Sequence, residues 1–305
     1  MEAILIPMKK FMADIEIPDL VQSTVLKNFS IISDKILKMS AQKLLDVRVA
    51  GQEAERLGEL YSNDTLMELT YHLYAAFLCW GKIYVPQGIS YEIYINTMKC
   101  FTRFLEETRK IISTYKFNRG FWTWRYTSGL IYRIKELEFE RVAPPHKDKA
   151  ARLVGKKYIS VHIPSDANLS HEIISKNYLE AKCFLKKYFP SYDQTPFASS
   201  TWLLSPKLKD WLKEKSNLRL FADDYDVVNT NPNSDEAVPW VFNSISADIL
   251  NYPEETSLQK AAKKWMVAGG HIGSALGILK KRHRTNISKY KKIQISGELS
   301  VFFET

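Results

Sequence analysis

Residues 156–206 constrain the fold of this chain more than any other stretch, because they read as a strand, a sharp turn, a long amphipathic helix and a second strand. In Tyr158-Ile-Ser-Val-His-Ile-Pro164 the apolar Ile159, Val161 and Ile163 fall on one face and Ser160 and His162 on the other, the period of two that marks a strand. Pro164 ends it. Ile174, Tyr178, Ala181, Leu185 and Tyr188 then recur at steps of four and three, with Ser170 placed as N-cap and Glu172 in the first turn, which only a helix satisfies. Pro190 disfavours helical geometry at Phe189, and residues 197–204 supply a second extended element closed by Ser205-Pro206. This βαβ pattern predicts parallel neighbouring strands with a right-handed helical crossover. Ligands of such units bind beyond the carboxyl ends of the strands near the helix N-terminus, which makes residues 162–170 a candidate site.

At 305 residues, with 45% hydrophobic and 12% aromatic content, the chain can build one large or two ordinary cores, and disorder is excluded. No window approaches the roughly 18 uninterrupted apolar residues of a membrane span, so no membrane partner is expected. The opening Met1-Glu-Ala-Ile-Leu-Ile-Pro-Met has an acid and Pro7 where a signal peptide needs a basic start and a long apolar run, so the expectation is a soluble, cytoplasmic protein. Cys79, Cys100 and Cys183 are widely spaced within apolar helical patterns and read as buried thiols. With no CxxC pair and no zinc spacing, no metal is expected. The net charge of +9 gathers in residues 280–284 and 289–292 and favours acidic partners. Nucleic acid, a phosphorylated cofactor such as coenzyme A and a solvated basic tail all fit that sign. No helix-turn-helix, zinc finger or RNA-binding motif supports nucleic acid, which is not expected as a partner.

The first 115 residues read as mostly helical, with helices over 64–80 and 90–114 and a turn at 85–88. The aromatic run Phe121-Trp-Thr-Trp-Arg-Tyr126 reads as core packing. A strand begins at Leu137, where Leu137 and Phe139 oppose Glu138 and Glu140, and residues 143–150 form an exposed connection. Beyond Pro206 the pattern predicts a short helix over 207–215 and short strands over 217–221, 225–228 and 239–242. The last helix opens on the capping box Thr256-Ser-Leu-Gln259 and closes at Gly269-Gly270. The following glycine-rich stretch, residues 270–277, would let backbone amides approach a phosphate, though a tight helix-to-strand connection needs the same residues.

These residues carry a resemblance. His162-Ile-Pro with its following helix, Lys187-Tyr-Phe-Pro190, Thr201-Trp-Leu-Leu-Ser-Pro206, Ser216-Asn217, Tyr132-Arg-Ile-Lys-Glu-Leu-Glu-Phe-Glu140, Thr256-Ser-Leu-Gln259 and Ala268-Gly-Gly270 together look like a bacterial family of acyltransferase-domain proteins. The resemblance implies an α+β fold, with a mostly helical N-acyltransferase N-terminal domain (1–120) followed by a GNAT-like mixed α/β domain with a central twisted sheet (121–305). It implies acyl-CoA as co-substrate, lying where the two parallel strands splay apart, and the amine of a small molecule or peptide as acceptor. One departure stands out: the turn that holds pyrophosphate in GNAT enzymes is glycine-rich, whereas here it is Pro164-Ser-Asp-Ala-Asn-Leu-Ser170, with Asp166 placed to repel an anion.

Amine acylation needs a base and polar groups at the thioester. His162, at a strand end on the polar face, is the candidate catalytic base, and Asp166 is the carboxylate that would orient it across the turn. The structural alternative for His162 is a hydrogen bond anchoring the strand end. Ser165 in the turn and the hydroxyls of Ser199, Ser200 and Thr201 on the second strand are the candidate cofactor-binding groups, although strand hydroxyls also bond their own neighbours. Two classes of function follow: an acyl-CoA-dependent N-acyltransferase, or a non-catalytic binding protein on a degenerate GNAT-like scaffold, which the missing glycines favour.

Overall fold

A computed structural model describes residues 2–145, 153–244, 246 and 248–280. The basic stretch beyond Lys280 and most of the 143–150 connection lie outside the described residues. The chain forms two compact units, residues 1–141 with 162–166, and residues 142–161 with the chain from 167 onward.

The first unit is helical and ends in a hairpin. Its helices are α1 (Glu2–Asp14), α2 (Asp19–Ile31), α3 (Asp34–Leu45), α4 (Ala50–Leu60), α5 (Thr65–Cys79), the single turn α6 (Val85–Gln87), α7 (Tyr91–Met98), α8 (Cys100–Ile112) and α9 (Gly120–Thr127). Asp64 starts α5 by accepting from the Met67 amide at 3.1 Å, and Ser90 caps α7 in the same way. A π-helical segment, Trp80–Tyr84, continues α5. The helix expected over 90–114 is two helices, because Lys99 (ψ −9°) flattens the backbone between them. The interior is unusually aromatic: Phe29, Tyr84, Tyr94, Phe101, Phe117 and Tyr126 are fully buried, and Tyr94 spends its hydroxyl on the Ala76 carbonyl at 2.9 Å.

The hairpin joins β1 (Ile131–Ile134) to β2 (Leu137–Val142), antiparallel, with Ile134 opposite Leu137 and Ile131 opposite Glu140. Only Lys135 and Glu136 connect the strands, with Lys135 at φ 55°. β1 had no separate sequence signal, since the turn carries neither glycine nor asparagine.

Behind α9 lies a buried acid–base group. The His72 ring is fully enclosed; its Nδ1 meets Thr123 Oγ1 at 3.0 Å, and its Nε2 faces Glu68 Oε1 at 3.8 Å. Gly120 packs so closely here that a Cβ would stand 1.8 Å from Glu68 Oε1. Burial pushes the Glu68 carboxyl up to about 7 and the His72 imidazole down to about 3. The folded state therefore holds the Glu68 proton more tightly than the unfolded chain, whose carboxyl titrates near 4.5, so this contribution to stability is full below pH 4.5 and is lost as pH rises to about 7. His72 acts oppositely on the acid side. In Glu68→Gln the first effect vanishes, so the stability advantage of the native protein over this variant should shrink by about 2 kcal/mol between those pH values, allowing for solvent screening. Urea midpoints across this range test it, and a constant difference would refute the assignment.

The second unit contains β3 (Tyr158–His162, whose last residue belongs to the first unit), α10 (His171–Tyr188), β4 (Phe197–Thr201), α11 (Pro206–Trp211), α12 (Asn217–Asp223), β5 (Tyr225–Asn231), α13 (Val238–Phe242), α14 (Ser257–Val267) and β6 (Ser274–Leu279). β3 and β4 run parallel with α10 as their crossover, as the βαβ pattern predicts. β4 pairs antiparallel with β6, and β6 with β5, which carries an irregularity between Val227 and Asn229. The sheet is therefore mixed. α10 buries Ile174, Tyr178, Ala181 and Leu185, and Tyr178 and Tyr225 share a hydroxyl contact of 3.0 Å.

Three sequence expectations change in this unit. Residues 217–221 form helix, because Ser216 Oγ accepts from the Arg219 amide and the turn buries Phe221 with Ala222. Residues 239–242 also lie in a helix, with Pro239 in its first turn, where a missing N–H costs nothing. Cys79 and Cys100 are buried, but Cys183 is exposed, being two positions from both Ala181 and Leu185 and so on the outer face of α10. The capping box on α14 is present, and Gly269 leaves the helix at φ 85°.

The registered pairs of β3 and β4 are Ile159 with Phe197 and Ser160 with Ala198, although both strands run further. Beyond them Ser199 Oγ donates to the Val161 carbonyl at 2.8 Å, so a side chain stands where a ladder bond would continue. The registered pairing thus ends before either strand does. Thr201 Oγ1 accepts from the Leu203 amide and turns the chain into a 3₁₀ segment, Trp202–Leu204, which ends the predicted extended run early.

Candidate active site

In the first unit, His162 Nε2 lies 2.8 Å from Glu140 Oε2. The two residues come from β3 and β2, each on the polar side of its strand's alternation. Burial would raise the Glu140 carboxyl, but the hydrogen bond and charge of His162 and the nearby Arg125 outweigh it and hold the carboxyl below its ordinary range. Glu140 is thus an acceptor, and Nε2 carries the hydrogen that it accepts. Nδ1 of His162 makes no hydrogen bond among the described residues, and the side chain is 23% exposed. The free lone pair of a neutral imidazole here is on Nδ1.

Helix α9 completes the surroundings. Trp122 meets the His162 ring at right angles, with 5.2 Å between centroids. One turn later Arg125 lies 4.2 Å over the Trp122 ring and places Nε 3.2 Å from Glu140 Oε1. Trp122, His162, Glu140 and Arg125 close a ring of contacts in which each carboxylate oxygen has its own partner.

A second ionic group stands behind this ring. Arg103 of α8 donates to Glu138 Oε1 at 2.6 Å, and the Tyr126 hydroxyl donates to the other oxygen at 2.6 Å, all nearly out of solvent. Arg133 NH1 donates to both oxygens of Asp166 at 2.9 Å. Ser165 Oγ donates to Glu107 Oε1 at 2.5 Å, and burial raises the Glu107 carboxyl above its ordinary value.

The sequence candidates therefore separate. His162 is paired with a carboxylate, but that carboxylate is Glu140; Asp166 sits against Arg133, which holds its carboxyl low despite partial burial. Ser165 is bonded to Glu107, Ser199 to Val161 and Thr201 to Leu203, which leaves the exposed Ser200 as the one of the four whose hydroxyl has no bond among the described residues. Glu140, Trp122 and Arg125 were not singled out as site residues. The available signals were two glutamates on one strand, with Glu138 buried, and a Trp and an Arg three apart on one helix face.

A helix-linked parallel pair whose registered pairing stops short of its carboxyl end, followed by an antiparallel pair, defines a GNAT-like α/β fold preceded by a helical region. Family models agree: residues 7–129 match an N-acyltransferase N-terminal domain and residues 131–279 a GNAT-like C-terminal domain. The chain belongs to the family that joins these two domains. Among solved structures, it is similar to an acyltransferase in complex with decanoyl-CoA and teicoplanin (18% identity, 89% of this chain and 86% of that one, TM-score 0.74). It is equally similar to an acyltransferase with CoA and 10C-teicoplanin (18%, 89% and 87%, 0.74), and also to one with decanoyl-CoA (17%, 88% and 86%, 0.67). No curated protein matches the sequence.

Proposed function

We propose that this protein is an N-acyltransferase that moves an acyl group from an acyl-CoA thioester to the amine of a small molecule or peptide. The observation that carries the reading is the His162–Glu140 pair, in which Nδ1 has no hydrogen-bond partner among the described residues. The thioester supplies the acyl group and a thiolate leaving group.

His162 Nδ1 takes the proton of the attacking amine as the N–C bond forms, and Glu140 stabilises the resulting imidazolium through Nε2–H. When the C–S bond breaks, the same proton is available to the departing sulfur, which returns the imidazole to neutral. Arg125 keeps Glu140 ionised and aimed. That the complexes of similar fold hold decanoyl-CoA, CoA and teicoplanin supports a medium-chain thioester donor and a bulky acceptor carrying an amine.

A second reading has its own observation. The side chains of the turn after β3 are committed, Ser165 to Glu107 and Asp166 to Arg133, which suits a non-catalytic binding protein. One experiment separates the two. With acyl-CoAs from two to ten carbons, a ligand at a hundred times its Kd should add about 2.7 kcal/mol to stability, seen as a thermal shift, and amine acceptors should then release free thiol. A shift without thiol release would favour the binding protein, and no shift at millimolar thioester would sink the acyltransferase reading.

A further inference from the structure

The glycine-rich loop after α14 forms part of a second candidate site, wholly inside the second unit and independent of the acyl-transfer reading. Lys207, Trp265, Gly270, His271 and Ile272, together with Ser205 and the end of β5, enclose a cavity of about 380 Å³, within the range of small-ligand pockets.

The polarity of its wall is lopsided. Trp265 Nε1 donates to the His271 carbonyl at 2.9 Å and Ser205 Oγ donates to the Ile272 carbonyl at 2.6 Å, so both carbonyls are spent. The backbone N–H groups of the same two residues have no acceptor among the described residues. Ile272 is 1% exposed, and a buried N–H without a protein acceptor calls for one from the cavity that the residue lines. Gly269 and Gly270 turn their own N–H groups back to cap the last carbonyls of α14, at 2.9 and 3.1 Å. Lys207 Nζ lies 4.2 Å from the Trp265 ring centroid, with the exposed Asp210 as its ion-pair partner among the described residues. His271 Nδ1 pairs with Asp235 at 2.8 Å, and Lys207 brings a permanent positive charge to the cavity wall. Gly270 is required, since a Cβ there would stand 2.3 Å from the indole.

We propose that this cavity binds a phosphate group of a small organic ligand. Consecutive backbone donors plus an ammonium match phosphate oxygens, while Trp265, Pro206 and Pro232 offer an apolar wall to the organic part. The phosphate comes either from coenzyme A or from a separate phosphorylated molecule.

The test titrates the full-length protein with inorganic pyrophosphate, adenosine 3′,5′-bisphosphate and coenzyme A by calorimetry, and follows backbone amides by NMR. Pyrophosphate should bind and move the His271 and Ile272 amide signals, and Lys207→Gln should weaken it by roughly ten- to a hundredfold, whereas Lys186→Gln on the outer face of α10 should not. Coenzyme A weakened in proportion by Lys207→Gln identifies the coenzyme as the source. Coenzyme A that binds unchanged and fails to compete with pyrophosphate identifies a separate phosphorylated ligand. Absence of pyrophosphate binding at millimolar concentration, or binding that Lys207→Gln leaves intact, overturns the proposal.

Discussion

Replacing His162 with alanine is expected to lower kcat/KM for acyl transfer by roughly 10²- to 10⁴-fold, the usual worth of a positioned general base, while thermal unfolding stays within a few degrees. The small structural cost follows from the position of the ring, which is partly exposed and makes one hydrogen bond, to Glu140, with an edge contact to Trp122. Glu140→Gln separates positioning from charge. The amide can still meet Nε2, but it no longer stabilises an imidazolium, so turnover should fall, though less than in His162→Ala. Turnover in His162→Ala matching the native protein would remove this residue from the chemistry. Turnover in Glu140→Gln equal to that of the native protein would reduce Glu140 to a structural partner.

The largest stability effect is expected at Arg103. Its side chain and that of Glu138 are each less than a tenth exposed, so removing one leaves the other charge buried without its partner. Arg103→Ala should cost about 3–5 kcal/mol in urea unfolding of the first unit. The double variant Arg103→Met with Glu138→Leu removes both charges and should recover most of that loss, although the Tyr126 hydroxyl then loses its acceptor. If the double variant were as unstable as Arg103→Ala, the cost would lie in packing and not in the stranded carboxylate. Because Tyr126 sits on α9 and Glu138 on β2, this pair also fixes Trp122 and Arg125 relative to Glu140, so the single variant should lose activity before it loses its fold.

The βαβ unit was legible because three independent signals agreed: alternation in 158–163, a helical stripe in 174–188 and prolines at the boundaries. Where one signal stood alone it misled. The five residues 217–221 alternate like a strand, yet the Ser216 cap before the window and the adjacent buried pair Phe221 and Ala222 at its end decide for helix. β1 was invisible because Lys135 takes a left-handed conformation that sequence normally assigns to glycine or asparagine. His162 was found from its own strand, but its partner was not, because Glu140 lies 22 positions earlier and only tertiary pairing brings the two together. Asp166, four positions away, was the nearer guess; Arg133 claims it instead.

Helix α9 turns two sides to two different tasks. Gly120, Thr123, Tyr126 and Thr127 face inward, against Glu68, His72 and Glu138, whereas Trp122 faces the imidazole and Arg125 its carboxylate partner Glu140. A rigid rod cannot shift one side without the other. Divergence toward new acceptors is therefore free to work on the outer residues, while any change that crowds the inner ones displaces intact machinery, and a protein damaged in this way would lose turnover with every reacting group still present.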